Sequence, residues 1–205
     1  MEKPSQEQFL DHVASHVMTV NHDAPPFRTL LFKTPETSNR YFRITTWPGA
    51  LAISGDMGCF VFSRLPDMFE FFRKGRGINP GYWSEKLIAH DKHGGHMAFS
   101  EEMYHDAIRR DFRQWEFEDW RQMRRAWAEV REELWHLDNL HDAVSGAYRY
   151  RCSETGGDFS DIWGRQLEDY TYHFIWCCRA IVWAIAQYDA AKAAANDNSP
   201  VAVAA

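Results

Sequence analysis

Four short β-type runs, separated by links of only a few residues, constrain the fold of this chain more than any other sequence feature. The run 40–46 alternates, with Phe42 and Ile44 on one face and Arg43 on the other, which is the two-residue period of a strand. Links this short leave no room for a crossover connection, so neighbouring runs must pair antiparallel. The sequence therefore predicts a four-stranded antiparallel β-meander from the runs 28–33, 40–46, 50–54 and 59–63.

Helical periodicity surrounds the meander on both sides. Ser5 can cap an N-terminal helix that runs through Met18. A short helix is expected at 82–88, and a long helix begins at Ser100, because apolar residues recur there every three or four positions. The stretch 172–188 is apolar nearly all round, which is typical of a buried central helix.

Together these patterns predict an α+β fold: an N-terminal helix, a four-stranded antiparallel β-meander, and a helical C-terminal two-thirds packed on it. The chain has 205 residues, of which 45% are hydrophobic, and this favours a single domain at residues 1–192. Residues 193–205 lack periodicity and are rich in alanine, so they are expected to form a disordered tail.

The charge balance argues against one class of partner. A formal net charge of -6 opposes the positive footprint that nonspecific nucleic-acid binding needs, so duplex nucleic acid is not an expected partner. The nine tryptophans can serve either a large core or an exposed surface for a partner.

Three features favour a cytoplasmic location. The first residues lack the basic start and apolar run of a signal peptide. The most apolar stretch, 174–186, contains Arg179 and is well short of the roughly 20 residues that a membrane span needs, so no membrane association is expected. Cys177 and Cys178 lie in that apolar stretch, which predicts reduced core residues rather than nucleophiles.

His90, His93 and His96 recur at intervals of three and could converge on a divalent metal. Joined by Asp56, such a site would suit a metal-dependent hydrolase acting on a nucleotide or nucleic acid. The alternative is a plain polar loop, where histidine is common, and the chain has no His-Glu-x-x-His motif. The polar loop is favoured, and no metal or other cofactor is predicted.

Two turns of the meander are candidate functional positions, because loops on a rigid scaffold often carry function. Asp56, in the turn 55–58, offers a carboxylate, and Trp47, in the turn 47–49, offers an aromatic contact. Glycine and aspartate are also the residues that a hairpin turn requires on conformational grounds. The structural interpretation is favoured for both turns.

Arginines and aromatic residues occur together in two segments. Arg64, Arg73 and Arg76 flank a phenylalanine-rich helix, and seven arginines lie within 109–131. Three tryptophans lie among the latter: Trp115, Trp120 and Trp127. This combination can stack on bases and hold phosphates. Glutamates and aspartates are interleaved, however, so a solvated helix face is favoured and a phosphate or nucleotide pocket is the alternative.

An apolar seam in the same region supports a hypothesis of self-assembly. Its residues are three or four positions apart, but it spans too few heptads for a coiled coil. Packing within the chain is favoured, and a homo-oligomer is the alternative. The seam consists of Trp120, Met123, Trp127, Val130, Leu134 and Leu137.

Several motifs of this chain resemble those of a known group of proteins. They are TWPG at 46–49, GDMG at 55–58, VFSRL at 61–65, INPGYWSEKL at 78–87 and a late apolar run at 174–189. These motifs resemble a family of small uncharacterised proteins encoded in bacteriophage and prophage genomes. The resemblance covers nearly all of residues 28–189 and implies a phage setting. Because the family has no established activity, it implies no catalytic residues.

The C-terminal tail carries a second resemblance. Residues 194–198, Ala-Ala-Asn-Asp-Asn, and 202–205, Ala-Val-Ala-Ala, are similar to the peptide that transfer-messenger RNA adds to stalled proteins in alphaproteobacteria. Such tags direct proteins to the ClpXP protease. A plain alanine-rich tail is the alternative.

The function favoured by the sequence is a non-enzymatic accessory binding protein of phage origin. It would bind a host protein or a small nucleotide signal and so counteract a host defence system. The aromatic surplus and the lack of a catalytic motif favour this interpretation over an enzyme. The candidate binding residues are Trp47, Asp56, Arg64, Arg73, Arg76, Tyr82 and Trp83.

Overall fold

A computed structural model of the chain describes residues 3–73, 75, 77–92 and 94–197. The chain divides into two compact units. Unit 1 comprises Met1–His96 and Tyr170–Ala205, and unit 2 comprises Met97–Asp169. Unit 2 is therefore an insertion in the chain of unit 1. Each unit has its own hydrophobic core. The single domain at residues 1–192 stays a prediction.

Unit 1 is built on a six-stranded antiparallel sheet in which each strand lies beside its neighbours in sequence. The sheet confirms the predicted α+β class, the N-terminal helix and the antiparallel meander, but the predicted number of four strands is wrong. The strands are β1 (Val17–Ala24), β2 (Phe27–Lys33), β3 (Phe42–Trp47), β4 (Ala50–Gly55), β5 (Gly58–Ser63) and β6 (Leu87–His90). The helices are α1 (Gln6–Val13), α2 (Met68–Arg73), α3 (Pro80–Ser84) and α7 (Tyr172–Asp197).

The two strands missed from the sequence, β1 and β6, form the two edges of the sheet. The predicted N-terminal helix ends at Val13 instead of Met18, because Val17, Thr19 and Val20 prefer extended backbone and pair with β2. Most side chains of β1 and β6 are exposed, so their sequences lack the alternation that identifies a half-buried strand.

Helix α7 packs against one face of this sheet. A row of buried residues crosses four strands by direct pairing: Leu30, Ile44, Ile53 and Phe60. Phe42 contacts Trp176 of α7 edge to face at 5.6 Å between ring centroids. Phe174 through Tyr188 supply most of the buried helical surface, which confirms the predicted central helix. No helix in the described part of the chain combines the length and apolarity needed to cross a membrane.

Cys177 and Cys178 are buried in α7, as predicted, and burial raises the pKa of both thiols. Helix α7 continues through Asp197, five residues into the stretch that the sequence predicts to be a disordered tail. Residues 198–205, with most of the tag-like sequence, lie outside the described residues.

Unit 2 is mainly helical. The long helix predicted from Ser100 is two helices, because residues 113–119 interrupt it and Asp119 caps the second by accepting from the amide of Gln122 at 2.8 Å. The elements are β7 (Met97–Phe99), α4 (Glu101–Phe112), α5 (Trp120–Leu134), α6 (Leu140–Arg149), a 3-10 helix (Ser160–Gly164) and β8 (Glu168–Tyr170), which pairs with β7. Val130 and Leu134 of the predicted seam are buried in this unit, whereas Trp120 and Met123 are exposed.

A buried ion pair joins the sheet to α2 in unit 1. The Arg28 guanidinium on β2 donates two hydrogen bonds to the Asp67 carboxylate, at 3.0 and 2.8 Å, and lies 4.4 Å from the centroid of the Phe69 ring. Asp67 also accepts from the backbone amide of Phe69 at 3.0 Å, at the start of α2. The Arg28 side chain is only 4% exposed, so the Asp67 carboxylate is needed to compensate its buried charge.

Replacement of Asp67 by Ala is expected to lower the free energy of unfolding by about 3–5 kcal/mol, because it leaves a buried guanidinium without its carboxylate. Urea unfolding followed by circular dichroism measures this loss. Glu85→Ala is the control: Glu85 pairs with Lys86 at the surface, and its removal should cost no more than about 1 kcal/mol. Equal losses in the two variants would contradict the proposed dependence.

The same pair predicts a dependence of stability on pH. Burial acts to raise the pKa of Asp67, but the hydrogen bonds from Arg28 and Phe69 and the positive charges of Arg28 and Arg73 outweigh it, so the pKa is lowered. The pair therefore stabilises the fold fully above the unfolded-state pKa of about 3.9, and this contribution is lost as pH falls through the lower native pKa. Urea unfolding from pH 6 downward should show a smaller acid loss in Asp67→Asn than in the original chain.

Candidate functional site

Three of the sequence-predicted residues line one pocket of about 330 Å³ in unit 1: Arg64, Tyr82 and Trp83. Trp83 is nevertheless part of the core and contacts Phe72 edge to face at 4.9 Å. Tyr82 is exposed, and the Lys86 ammonium lies 4.7 Å from its ring centroid. Tyr82 thus makes a cation–π contact with Lys86, and Arg64 is the only guanidinium among the described lining residues.

Arg73 has a structural partner that the sequence did not reveal. Its guanidinium donates to both carboxylate oxygens of Asp189 on α7, at 2.9 and 2.6 Å, and also pairs with Glu70. These contacts tie α2 to α7 and neutralise the charge of Arg73, which is a candidate binding residue in the sequence. Arg76 lies outside the described residues.

Trp47 and Asp56 lie at opposite ends of β4, so the sheet does not bring them together. The Asp56 carboxylate accepts from the backbone amide of Arg40 at 2.8 Å and so holds the turn against the loop before β3. The preceding Gly55 has a φ of +157°, and a Cβ there would lie 2.2 Å from the Tyr41 carbonyl oxygen. These contacts give the turn 55–58 a structural role, as the sequence favours.

The histidines of the segment 90–96 do not come together around one point in the described residues. The rings of His90 and His96 are 6.1 Å apart between centroids, and His90 Nδ1 hydrogen-bonds to the carbonyl oxygen of Asp91 at 2.8 Å. His93 lies outside the described residues. Among the residues that the structure describes, no group of three or more His, Cys, Asp or Glu side chains is arranged to hold a metal ion.

The strongest candidate site is a groove between α4 and α5 of unit 2, which we call the arginine groove. Its volume is about 420 Å³. Helix α4 contributes guanidiniums one turn apart, and α5 contributes guanidiniums two turns apart. The floor is aromatic and thioether surface. The main lining residues are Arg109, Arg113, Arg124 and Arg131, with Phe112, Met123 and Trp127.

Helix geometry separates the arginines of α5 from its glutamates. At about 100° per residue, Trp120, Arg124, Trp127 and Arg131 fall within an arc of about 60°. The acidic residues of the same helix lie about 80° or more away from this arc. They are Glu129, Glu132 and Glu133. Arginines and glutamates that alternate along the sequence of α5 therefore lie on different faces of the helix.

Two acidic side chains near the arginine groove bind other partners. Glu129 accepts from the backbone amide of Ser153 at 2.9 Å and from the Tyr150 hydroxyl at 3.1 Å. Asp111 pairs with Arg165. In the groove itself Arg109 pairs with Asp106. The other three guanidiniums make no ion pair with any described residue: Arg113, Arg124 and Arg131.

Comparison of the chain with protein-family models, with curated proteins and with solved structures gave no match. The ligand class of the arginine groove therefore has to be inferred from its own residues. Guanidiniums bind phosphate oxygens through paired N–H donors, and aromatic faces accept planar rings. The combination suits a ligand that carries both a phosphate and a base.

The groove arginines are expected to be dispensable for folding. Arg113→Gln, Arg124→Gln and Arg131→Gln should each change the free energy of unfolding by no more than about 0.5 kcal/mol, because these side chains are exposed and unpaired. The matched control is Arg165→Gln, which leaves the buried Asp111 carboxylate without its partner and should cost about 1–3 kcal/mol. Urea unfolding checks both; a large loss in the groove variants would indicate a structural role.

Proposed function

We propose that this chain is a non-enzymatic binding protein that captures a nucleotide-type ligand in the arginine groove. The observation that carries the proposal is a groove lined by the half-buried indole of Trp127 and by three guanidiniums that make no ion pair with a described residue. A volume of about 420 Å³ lies within the range typical of small-molecule sites, roughly 300–1,000 Å³.

The chemistry of the lining favours binding over turnover. Arginine stays protonated in proteins and cannot act as a general base. The described lining residues include no His, Cys, Asp or Glu that could serve as nucleophile or base. Binding without chemistry is the function that such a set of side chains performs best. The metal-dependent hydrolase stays an alternative prediction that no observed side-chain cluster favours.

The phage resemblance extends the proposal to a biological setting. A phage-encoded protein that binds a small nucleotide in the bacterial cytoplasm would lower the free concentration of that signal and so counteract a defence system that depends on it. The support for this setting is the set of motifs between residues 46 and 87. Binding of a host protein is the other form of the same proposal.

Isothermal titration calorimetry with a panel that runs from mononucleotides to short oligonucleotides tests the groove. The double variant Arg124→Gln/Arg131→Gln should weaken any binding by at least tenfold, because a hydrogen bond to a charged group contributes about 1.5–3 kcal/mol and about 1.4 kcal/mol is a factor of ten. Arg110→Gln is the matched control, since Arg110 is exposed on α4 but does not line the groove. Failure of every nucleotide to bind, or equal binding by the double variant, would overturn the proposal.

A further inference from the structure

Helix α5 carries aromatic and basic residues in strict alternation along one face. Trp120, Arg124, Trp127 and Arg131 follow one another at spacings of four, three and four residues. At about 1.5 Å per residue the face is about 16 Å long. We call these four residues the α5 stripe. The α5 stripe is longer than a ligand with one base and one phosphate.

The first residue of the stripe lies beyond the arginine groove. Trp120 is 59% exposed and does not line the groove. The guanidiniums of Arg121 and Arg124 lie 5.5 and 5.6 Å from its ring centroid, within the range of cation–π attraction. Because the Trp120 indole is large and exposed, it can also contact a second planar group.

From this alternation we propose that the ligand is a short single-stranded oligonucleotide that runs along α5. Successive bases stack on Trp120 and Trp127, the phosphate between them is bound by Arg124, and the next phosphate is bound by Arg131. The inference rests on the proposed function, because it uses the same groove. It goes further by requiring at least two linked nucleotides.

The spacing distinguishes a strand from a single nucleotide. The Cα atoms of Trp120 and Trp127 are about 10 Å apart along the helix axis, so one base cannot stack on both indoles. Arg124 lies between them, where the phosphate that links two nucleotides would be. Arg113 also lines the groove and makes no ion pair with a described residue, so it adds positive charge beside the stripe, whereas Arg109 is paired with Asp106.

A duplex is a poorer occupant than a single strand. Its bases are already stacked on one another and cannot offer their faces to tryptophan, whereas every base of a single strand can. The net charge of -6 and the glutamates on the far side of α5 also oppose the broad phosphate contact that a duplex makes.

Fluorescence anisotropy of the full chain with labelled six-nucleotide strands, dT6 and rU6, tests the inference. Unlabelled strand should displace the probe at concentrations at which thymidine or uridine monophosphate does not, and a hairpin duplex should compete weakly. The slope of log affinity against log salt should be roughly -1.4 to -2.8, as expected for two to four phosphate contacts on a single strand. Comparison of dT6 with rU6 shows whether DNA or RNA is preferred.

The stacking role of Trp120 has its own matched variants. Trp120→Ala should weaken binding of the strand by about fivefold or more, and Trp120→Phe should retain most of the affinity because it keeps an aromatic face. Trp163→Ala is the control: Trp163 is 65% exposed in the same unit but lies on the 3-10 helix and does not line the arginine groove. An unchanged circular dichroism spectrum establishes that each variant is folded.

The outcomes separate the two proposals. If a mononucleotide binds as tightly as the strand and Trp120→Ala has no effect, the oligonucleotide inference is wrong and the proposed function stands. If the duplex competes as well as the single strand, the inference is also wrong. If neither mononucleotide nor strand binds, both proposals fall.

Discussion

The packing of α7 against one face of the six-stranded sheet is the constraint on which unit 1 depends. A helix that is apolar nearly all round needs cover on every side, and the sheet, α1 and α2 supply it. The aromatic contacts of Trp176 and Tyr188 fill that interface, and two ion pairs hold α2 in register with it: Arg28 with Asp67 and Arg73 with Asp189. Burial of the Arg28 charge is tolerated because its guanidinium meets the Asp67 carboxylate with paired hydrogen bonds.

Helix α7 reaches the sheet only after the chain has left unit 1 and returned. The points of departure and return are joined: the amide of Thr171 donates to the His96 carbonyl oxygen at 3.0 Å, and its hydroxyl donates to the Gly95 carbonyl oxygen at 3.0 Å. Because the two ends of unit 2 meet there, an insertion of this length leaves the sheet and its helix intact. The arginine groove belongs wholly to the inserted unit, whose own core supports α4 and α5.

The candidate site shows which features of a sequence predict function and which do not. Arg73 looks free in the sequence because its partner Asp189 is 116 residues away. Arg124 and Arg131 look neutralised because glutamates stand beside them, although helical spacing already places those glutamates on another face. The position of each charge around the helix, rather than along the chain, predicts the α5 side of the arginine groove. That Arg113 of α4 faces the same groove depends on tertiary packing.

The sequence by itself determined the antiparallel pairing of the four central strands and the burial of α7, because both follow from local periodicity and from links too short for any other connection. Tertiary structure decided the two edge strands, whose exposed side chains carry no period, and the interruption of the predicted long helix at 113–119. It also decided which arginines form ion pairs and which form none with a described residue. Some of these partners are distant in the chain, as Asp189 is for Arg73 and Glu154 is for Arg125, and local patterns do not record such pairs.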